Sequence, residues 1–394
     1  MRMKQALIIS TVSGFLLKFE SDNVKLLQSM GYHVHYAANM NEQFYRFSEA
    51  QLTQLGVDYH HISVARSPYM FDWNFRALRE LLKIIRSCGI SLIHCHEPMG
   101  GALGRIAAAL LPQQKIRVVY TAHGFHFYRG APLVNNTVYY AVERLLARFT
   151  DSIIVINNED YAAASCFHLK PGGRVWMIPG VGLDVAAFAA PKPTERAENR
   201  RNHGIAPEHF LLLSVGELNE NKNHQVILSA LKLLKSRHQL PEDLRYGICG
   251  DGFLRARLEQ IIADYGLGNV VHLFGYCTDI RNYLCMADAV AFPSMREGLG
   301  MAALEALSMG IPVLASDNRG TREYMRPGEN GFLCEWSDAE GFADRILMLH
   351  GMSQEERSTM EKACRDSAEP FSRDKVGIIM QAVYQEIDRK PVKR

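Results

Sequence analysis

Two doubly wound α/β domains in tandem are the fold class this sequence predicts, on three observations. Short apolar strands alternate with longer helical patterns through the first 188 residues. A polar, proline-bearing break runs through residues 188–200 (FAAPKPTERAENR), and the same alternation then restarts. In the first half, strands are expected at 6–9, 33–36, 91–94, 116–120 and 152–156, with helical patterns at 74–87 and 134–148. In the second half they are expected at 210–215, 245–249, 270–273, 289–292 and 312–315, followed by a last helix at about 373–388. Short buried strands separated by helices imply parallel pairing with helices on both faces. Such sheets bind ligands beyond the carboxyl ends of their strands, so two of them imply crevices that face one another across a cleft. The chain's 394 residues suit two domains of about 150–200 residues each. The expected division is 1–188, 189–372 and a terminal segment 373–394. No sequence repeat relates the halves.

Composition excludes several classes. Apolar residues make up 47%, as in a soluble globular protein, and the net charge of +2 argues against a general nucleic-acid binder. Residues 1–185 hold 18 Lys/Arg against 13 Asp/Glu, a surplus of five cations, and the remainder holds 26 against 29. A modestly basic first half suits an anionic surface or acceptor. The eight cysteines include no C-x-x-C pair, which fits a reducing compartment. Met1-Arg2-Met3-Lys4 and the run to Leu17 loosely imitate a signal peptide. Ser10, Thr11, Ser13 and Gly14 interrupt that run, so it reads instead as the first strand and its glycine loop. No stretch approaches the ~20 apolar residues that span a bilayer. The expected location is cytoplasmic, at most peripheral on the inner face of the cell membrane.

The most informative segment is 294–307, SMREGLGMAALEAL. A short strand precedes it and a helix, about 301–309, carries its second half. Glu297 therefore lies on the loop at a strand's carboxyl end, and Gly298, Leu299 and Gly300 present amides at a helix N-terminus. Unsatisfied amides and the helix dipole both favour an anion there. Glu305 lies about two turns in, on a face able to look back toward the same crevice. A phosphate needs amide donors, whereas a sugar needs carboxylate acceptors for its hydroxyls, and this segment offers both.

Glu297 and Glu305, with Gly298-Leu299-Gly300-Met301 between them, resemble the E-x7-E signature of family-4-type retaining glycosyltransferases. The resemblance extends through Ser214–Asn223, Cys249-Gly250-Asp251-Gly252, Phe274-Gly275-Tyr276 and Gly310–Ala315. In the first half, Tyr120–Tyr128 resembles the capsule and exopolysaccharide branch of that group. It covers nearly the whole chain, with the motifs in order.

The resemblance implies a GT-B fold with a first domain that binds acceptor, a second that binds nucleotide sugar, and a last helix that crosses back to the first. It implies a retaining transfer in which the leaving phosphate itself takes the acceptor proton. No D-x-D run or convincing metal-ligand spacing stands in the sequence, so neither metal nor cofactor is expected. The leaving diphosphate must then be met by amides and cations. Gly14, the amides of Gly298–Gly300 and Lys222 are the candidates. Glu305 would bind the ribose hydroxyls, Glu297 the transferred sugar, and the backbone at Phe274 and Tyr276 the base. The catalytic candidates are His123, Glu297 and Lys222. The family commonly carries a basic residue where Glu217 stands here, so Arg296 or Arg319 is a candidate substitute.

On the acceptor side, His126 lies among Phe125, Phe127 and Tyr128, and His94, His96 and Glu97 follow another strand. Plain packing competes with an acceptor role for each of them. Arg76, Arg79, Lys83 and Arg86 form one basic helix face, either simply solvated or a seat for anionic lipid head groups. The expected partners are a nucleotide sugar (a UDP-sugar first), a polyprenyl-diphosphate-linked saccharide and an anionic membrane, with no nucleic acid. The rival activities are nucleotide-sugar epimerisation and a non-catalytic partner subunit on the same fold.

Overall fold

The computed structural model describes residues 3–389 apart from 43, 44 and 46. The outer ends of the expected first and last segments, 1–2 and 390–394, lie outside the described residues. The chain divides into two compact units, Met1–Gly182 with Asp374–Arg394, and Leu183–Arg373.

The first unit holds β1 (Lys4–Val12), β2 (Tyr32–Asn39), β3 (Val57–His61), β4 (Leu92–His96), β5 (Arg117–Ala122), β6 (Ser152–Val155) and β7 (Arg174–Met177). All pair in parallel in the order β3-β2-β1-β4-β5-β6-β7. Its helices are α1 (Ser21–Ser29), α2 (Glu49–Gln54), α3 (Phe71–Cys88), α4 (Pro98–Ala109), α5 (Tyr140–Ala147) and α6 (Asn158–Ser165). The second unit holds β8 (Phe210–Val215), β9 (Leu244–Cys249), β10 (Val271–Gly275), β11 (Ala289–Phe292), β12 (Val313–Ser316) and β13 (Gly331–Cys334). These are also parallel, in the order β10-β9-β8-β11-β12-β13. Its helices are α7 (Pro193–Asn202), α8 (His224–Ser236), α9 (Arg255–Asp264), α10 (Ile280–Leu284), α11 (Met301–Ser308), α12 (Ala339–His350) and α13 (Gln354–Ala368). The final helix, α14 (Arg373–Arg389), belongs to the first unit from Asp374 onward. There Tyr384 meets His94, and Asp388 accepts from Lys4 and Tyr32.

The central strands are apolar because both of their faces are covered: β4 and β11 are buried at every residue. Three strands that the apolar pattern does not predict, β3, β7 and β13, lie at sheet edges. Val57-Asp58-Tyr59-His60-His61 keeps only its first residue buried, and no residue of Arg174–Met177 is fully buried. The expected break also differs, since part of it is helix α7. Its run Pro-Thr-Glu-Arg-Ala-Glu-Asn-Arg-Arg-Asn has no apolar face and is held instead by arginines. Arg196 donates to the Ala287 carbonyl and Asp288, and Arg200 reaches Asp288 from the next turn. The expected helix at 134–148 begins as a π-helical turn, Asn135–Tyr139, before α5.

In each sheet the strand order reverses once, between β1 and β4 in the first unit and between β8 and β11 in the second. The connections leaving those neighbouring strands run in opposite directions and open a crevice at their carboxyl ends. Both candidate constellations lie at these reversals.

Candidate active site

In the second unit, the loop after β8 and the loop after β11 are tied together by asparagines. Asn221 donates from Nδ2 to the Arg296 carbonyl at 3.1 Å, and its own carbonyl accepts the Met295 N–H at 2.8 Å. Asn223, left-handed at φ 52°, caps α8 and donates to the Pro293 and Trp336 carbonyls. Asn219 accepts the Lys222 N–H at 3.0 Å. This framework brings Lys222 Nζ to 2.5 Å from Glu297 Oε1, a partly buried ion pair across the strand-order reversal. The lysine stem lies over Gly216, where an added Cβ would stand 3.1 Å from Cδ.

Gly300 ends the second loop at φ 98° and caps α11. A side chain there would be strained, and its Cβ would meet the Phe292 ring at 2.7 Å. Asn318 shapes the turn beneath this loop: its Oδ1 accepts the Gly320 and Thr321 amides, and its Nδ2 donates to the Ser294 carbonyl. The backbones touch there, since a Cβ on Gly320 would lie 2.9 Å from the Leu299 backbone. Arg319 Nε approaches the Glu297 carbonyl at 3.4 Å. Glu305 sits in α11 with partial exposure.

In the first unit the reversal is bridged by Glu97. It accepts both the backbone N–H of Thr11 (2.7 Å) and its hydroxyl (2.6 Å). Glu97 itself is at φ 61°, a costly conformation for a residue with a Cβ, and it caps α4. Gly14 is buried just ahead of the π-helical turn Leu16–Glu20, and Phe15 packs on the rings of His96 and His123. His96 Nδ1 and His123 Nε2 share a hydrogen bond at 3.2 Å. On its other side His96 Nε2 faces Glu20 at 3.5 Å without a hydrogen bond, and Asn23 donates to Glu20 at 2.7 Å.

Burial decides the charge of this cluster. It pushes the Glu20 carboxyl up to about 8, against which the Asn23 hydrogen bond acts. It pushes His123 down to about 4, though part of that ring still meets solvent, and His96 well below its ordinary range. His94 falls to about 3 and is bonded on both nitrogens, to Tyr384 and Thr121 at 2.8 Å each. At neutral pH the group is a set of uncharged hydrogen-bonding atoms.

The structure thus joins Lys222 to Glu297 and His96 to His123 within their respective units. Several expectations shift. His94 and His96 belong to β4 rather than following it, and both are buried, so neither ring meets solvent directly. The Glu97 carboxylate is taken up by Thr11. His126 is exposed and stacks on Tyr139 at 5.3 Å, while Phe125 and Phe127 take the core positions. The Phe274 ring turns into a cluster with His203, His272 and Tyr283, whereas Tyr276 is 69% exposed. Glu217 is exposed and accepts from Asn219 at 3.0 Å. Of the two arginines considered as substitutes, Arg319 reaches Glu297 and Arg296 is exposed.

Glu20 and Asn318 are absent from the sequence reading, and Asn219, Asn221 and Asn223 enter it only as part of the motif Ser214–Asn223, without a role in joining the loops. The asparagine clustering in 219–223 is the signal that could have given these side chains their loop-tying role. Sequence spacing also shows no metal-ligand grouping, yet the fold gathers one ligand atom each from Glu20, His96 and His123 within 4.8 Å of one another. Among the described residues, no helix is long and apolar enough to cross a membrane.

Residues 22–185 match the family described as Glycosyltransferase Family 4, and residues 195–366 match Glycosyl transferases group 1. EpsD of Bacillus subtilis (strain 168), named as a candidate glycosyltransferase, is 37% identical over 348 residues, 88% of this chain and 87% of its own. The UDP-Gal:alpha-D-GlcNAc-diphosphoundecaprenol alpha-1,3-galactosyltransferase of Escherichia coli is 29% identical over 294 residues, 74% of each chain. Among solved structures, Anabaena Alr3699/HepE in complex with UDP and glucose superposes with a TM-score of 0.76 at 19% identity, covering 99% of this chain and 100% of that one. Sucrose-phosphate synthase from Thermosynechococcus elongatus gives 0.78 at 18%, covering 98% and 99%. At these identities the structural likeness speaks for the fold.

Proposed function

The chain belongs to the family-4-type glycosyltransferases with the GT-B fold, and from that premise we propose that it transfers a sugar from a UDP-sugar, with retention and without metal, to a polyprenyl-diphosphate-linked saccharide in surface polysaccharide assembly. The observation that carries the donor half is the Lys222–Glu297 pair at 2.5 Å beside the Gly298–Gly300 amides. A cation parked on a carboxylate at a helix N-terminus is placed to move onto an incoming diphosphate, and that move frees Glu297 for sugar hydroxyls. Arg319 supplies the second cation that the Glu217 position lacks. Glu305 accepts from the ribose hydroxyls, and the backbone about Phe274 and Tyr276 receives the base. UDP is favoured because the HepE structure holds it and the Escherichia coli relative is named for a UDP-sugar and a diphosphoundecaprenol acceptor.

Charge developing on the leaving diphosphate is stabilised by Lys222, Arg319 and the Gly298–Gly300 amides. The leaving oxygen takes the acceptor proton on the face it vacates. His123, neutral near pH 7, donates or accepts a hydrogen bond to the sugar, and His96 fixes which of its nitrogens carries the proton. His126 and the Glu97 turn then border the acceptor.

Thermal shift with UDP-, GDP- and ADP-sugars, each with EDTA and with Mg2+, tests this reading. At about 100 times the dissociation constant, a bound donor stabilises by roughly 2.7 kcal/mol. Stabilisation by UDP-sugars alone, unchanged by EDTA and lost in Glu305→Ala, is the expected result. Stabilisation by GDP- or ADP-sugars instead, or a strict need for Mg2+, would overturn the donor or the metal-free part respectively.

A further inference from the structure

Helix α3 buries Asn74, Ala77, Leu81 and Ile85 against the first sheet. Its start carries side chains that the core does not take: Tyr69 is 75% exposed, Phe71 73%, Trp73 48% and Phe75 64%. That exposure is built in. Asn74 accepts the Ala65 N–H and donates to the Ser67 carbonyl, which fixes the rotation of the helix start and keeps Phe71 and Phe75 outward. Opposite the buried stripe lie Arg76, Arg79, Lys83 and Arg86, all exposed. The acidic residues nearby offer little opposition, since Glu80 is occupied by the Ser63 amide at 2.6 Å and only Asp72 shares the exposed side.

A second apolar stripe, Val134, Val138 and Val142 at four-residue spacing, is exposed where the chain enters α5. Both α3 and α5 pack beside α4, and both begin at the carboxyl edge of the sheet, the edge that carries Gly14, Glu97 and His123.

We propose that the first unit docks on an anionic bilayer, with Phe71, Trp73 and Phe75 entering the head-group region, the α3 cations meeting lipid phosphates, and the Val134–Val142 stripe as a second foot. Aromatic side chains bordered by cations are the chemistry of an interfacial anchor, whereas a protein partner would not require four aligned cations. Docking at this edge turns the acceptor side of the unit toward the membrane. The biological purpose rests on the lipid-linked acceptor proposed above; the docking itself does not.

The test is flotation of the full chain with vesicles of phosphatidylcholine alone and with added phosphatidylglycerol. Binding to the anionic vesicles is expected. It should fall about fivefold for each cation removed in the series Arg76→Gln, Arg79→Gln, Lys83→Gln. It should be lost in Phe71→Ser/Trp73→Ser/Phe75→Ser, whose unchanged circular dichroism and donor thermal shift show intact folding. No flotation with anionic vesicles overturns the proposal. So does a wild-type dimer in sedimentation that the triple serine variant dissolves, since the patch is then an interface between copies. Flotation without any sugar transfer leaves docking standing and counts against the acceptor reading alone.

Discussion

Glu20→Gln should make this protein more stable at neutral pH, and the size of the gain is set by burial. The Glu20 carboxyl has an ordinary value of 4.5 and is raised to about 8 in the fold. A raised folded value means the full stability is present below 4.5 and is lost as pH rises toward 8. At pH 7 the unfolded chain has released a proton that the folded chain keeps. Over the interval from 4.5, at about 1.4 kcal/mol per pH unit, the cost is about 3 kcal/mol. Glutamine does not ionise and can still accept from Asn23, so it removes the cost while keeping the contact. The neighbouring histidines act in the opposite sense, their lowered values costing stability as pH falls below 6.5, but they are common to both proteins and cancel. Urea unfolding of the pair at about pH 5 and about pH 7 should give a difference under about 1 kcal/mol at the acid end and about 3 kcal/mol in favour of glutamine at neutrality. A difference independent of pH would refute the reasoning. It would mean that Glu20 is ionised in the fold and paired with a protonated His96.

Lys222→Ala should lower turnover about 10²- to 10³-fold with the fold intact, as loss of one preorganised charge does in other sites; steady-state kinetics with saturating donor checks this. Arg105 is fully buried, donates to Glu143 at 2.7 Å and lies 3.9 Å over the Tyr120 ring. Arg105→Met should therefore cost about 3–5 kcal/mol in urea unfolding, with much of it recovered in Arg105→Met/Glu143→Leu. Gly300→Ala forces a Cβ toward Phe292 at positive φ and should cost about 1–3 kcal/mol. It should also abolish the donor-induced thermal shift, because the amides of that loop move.

The interior of each sheet was legible because a strand covered on both faces must be apolar throughout, as Ala289-Val290-Ala291-Phe292 is. Edge strands β3, β7 and β13 were not, although edge strand β10 was; in β3 an open face lets Asp58, His60 and His61 stand where a core strand would need apolar residues. Site residues followed the same division. Glu297 and the glycine loop stand out by glycines and a charge close together in the chain, and Lys222 through the resemblance carried by Ser214–Asn223. Glu20 does not: the π-helical turn that carries it leaves no apolar period to read, and its partner His96 is seventy-six positions away.

The two strand-order reversals are bridged in the same place by different chemistry, and that difference bears on which half meets which substrate. In the second unit the bridge is an ion pair, Lys222 to Glu297, both partly open to water. In the first it is a carboxylate consumed by Thr11, backed by a carboxyl and three imidazoles that burial keeps neutral near pH 7. A diphosphate that gains charge as it leaves needs compensating cations whose charge does not depend on a shifted equilibrium, and lysine and arginine meet that need. A sugar and an incoming hydroxyl carry no charge. An ionised imidazolium beside them would be a competitor for their lone pairs, stabilising the ground state as much as the transition state. Desolvating His94, His96 and His123 together removes that competitor at a cost in acid stability. On this reasoning the depth of the first-unit histidines is a requirement of the proposed chemistry and more than a packing accident.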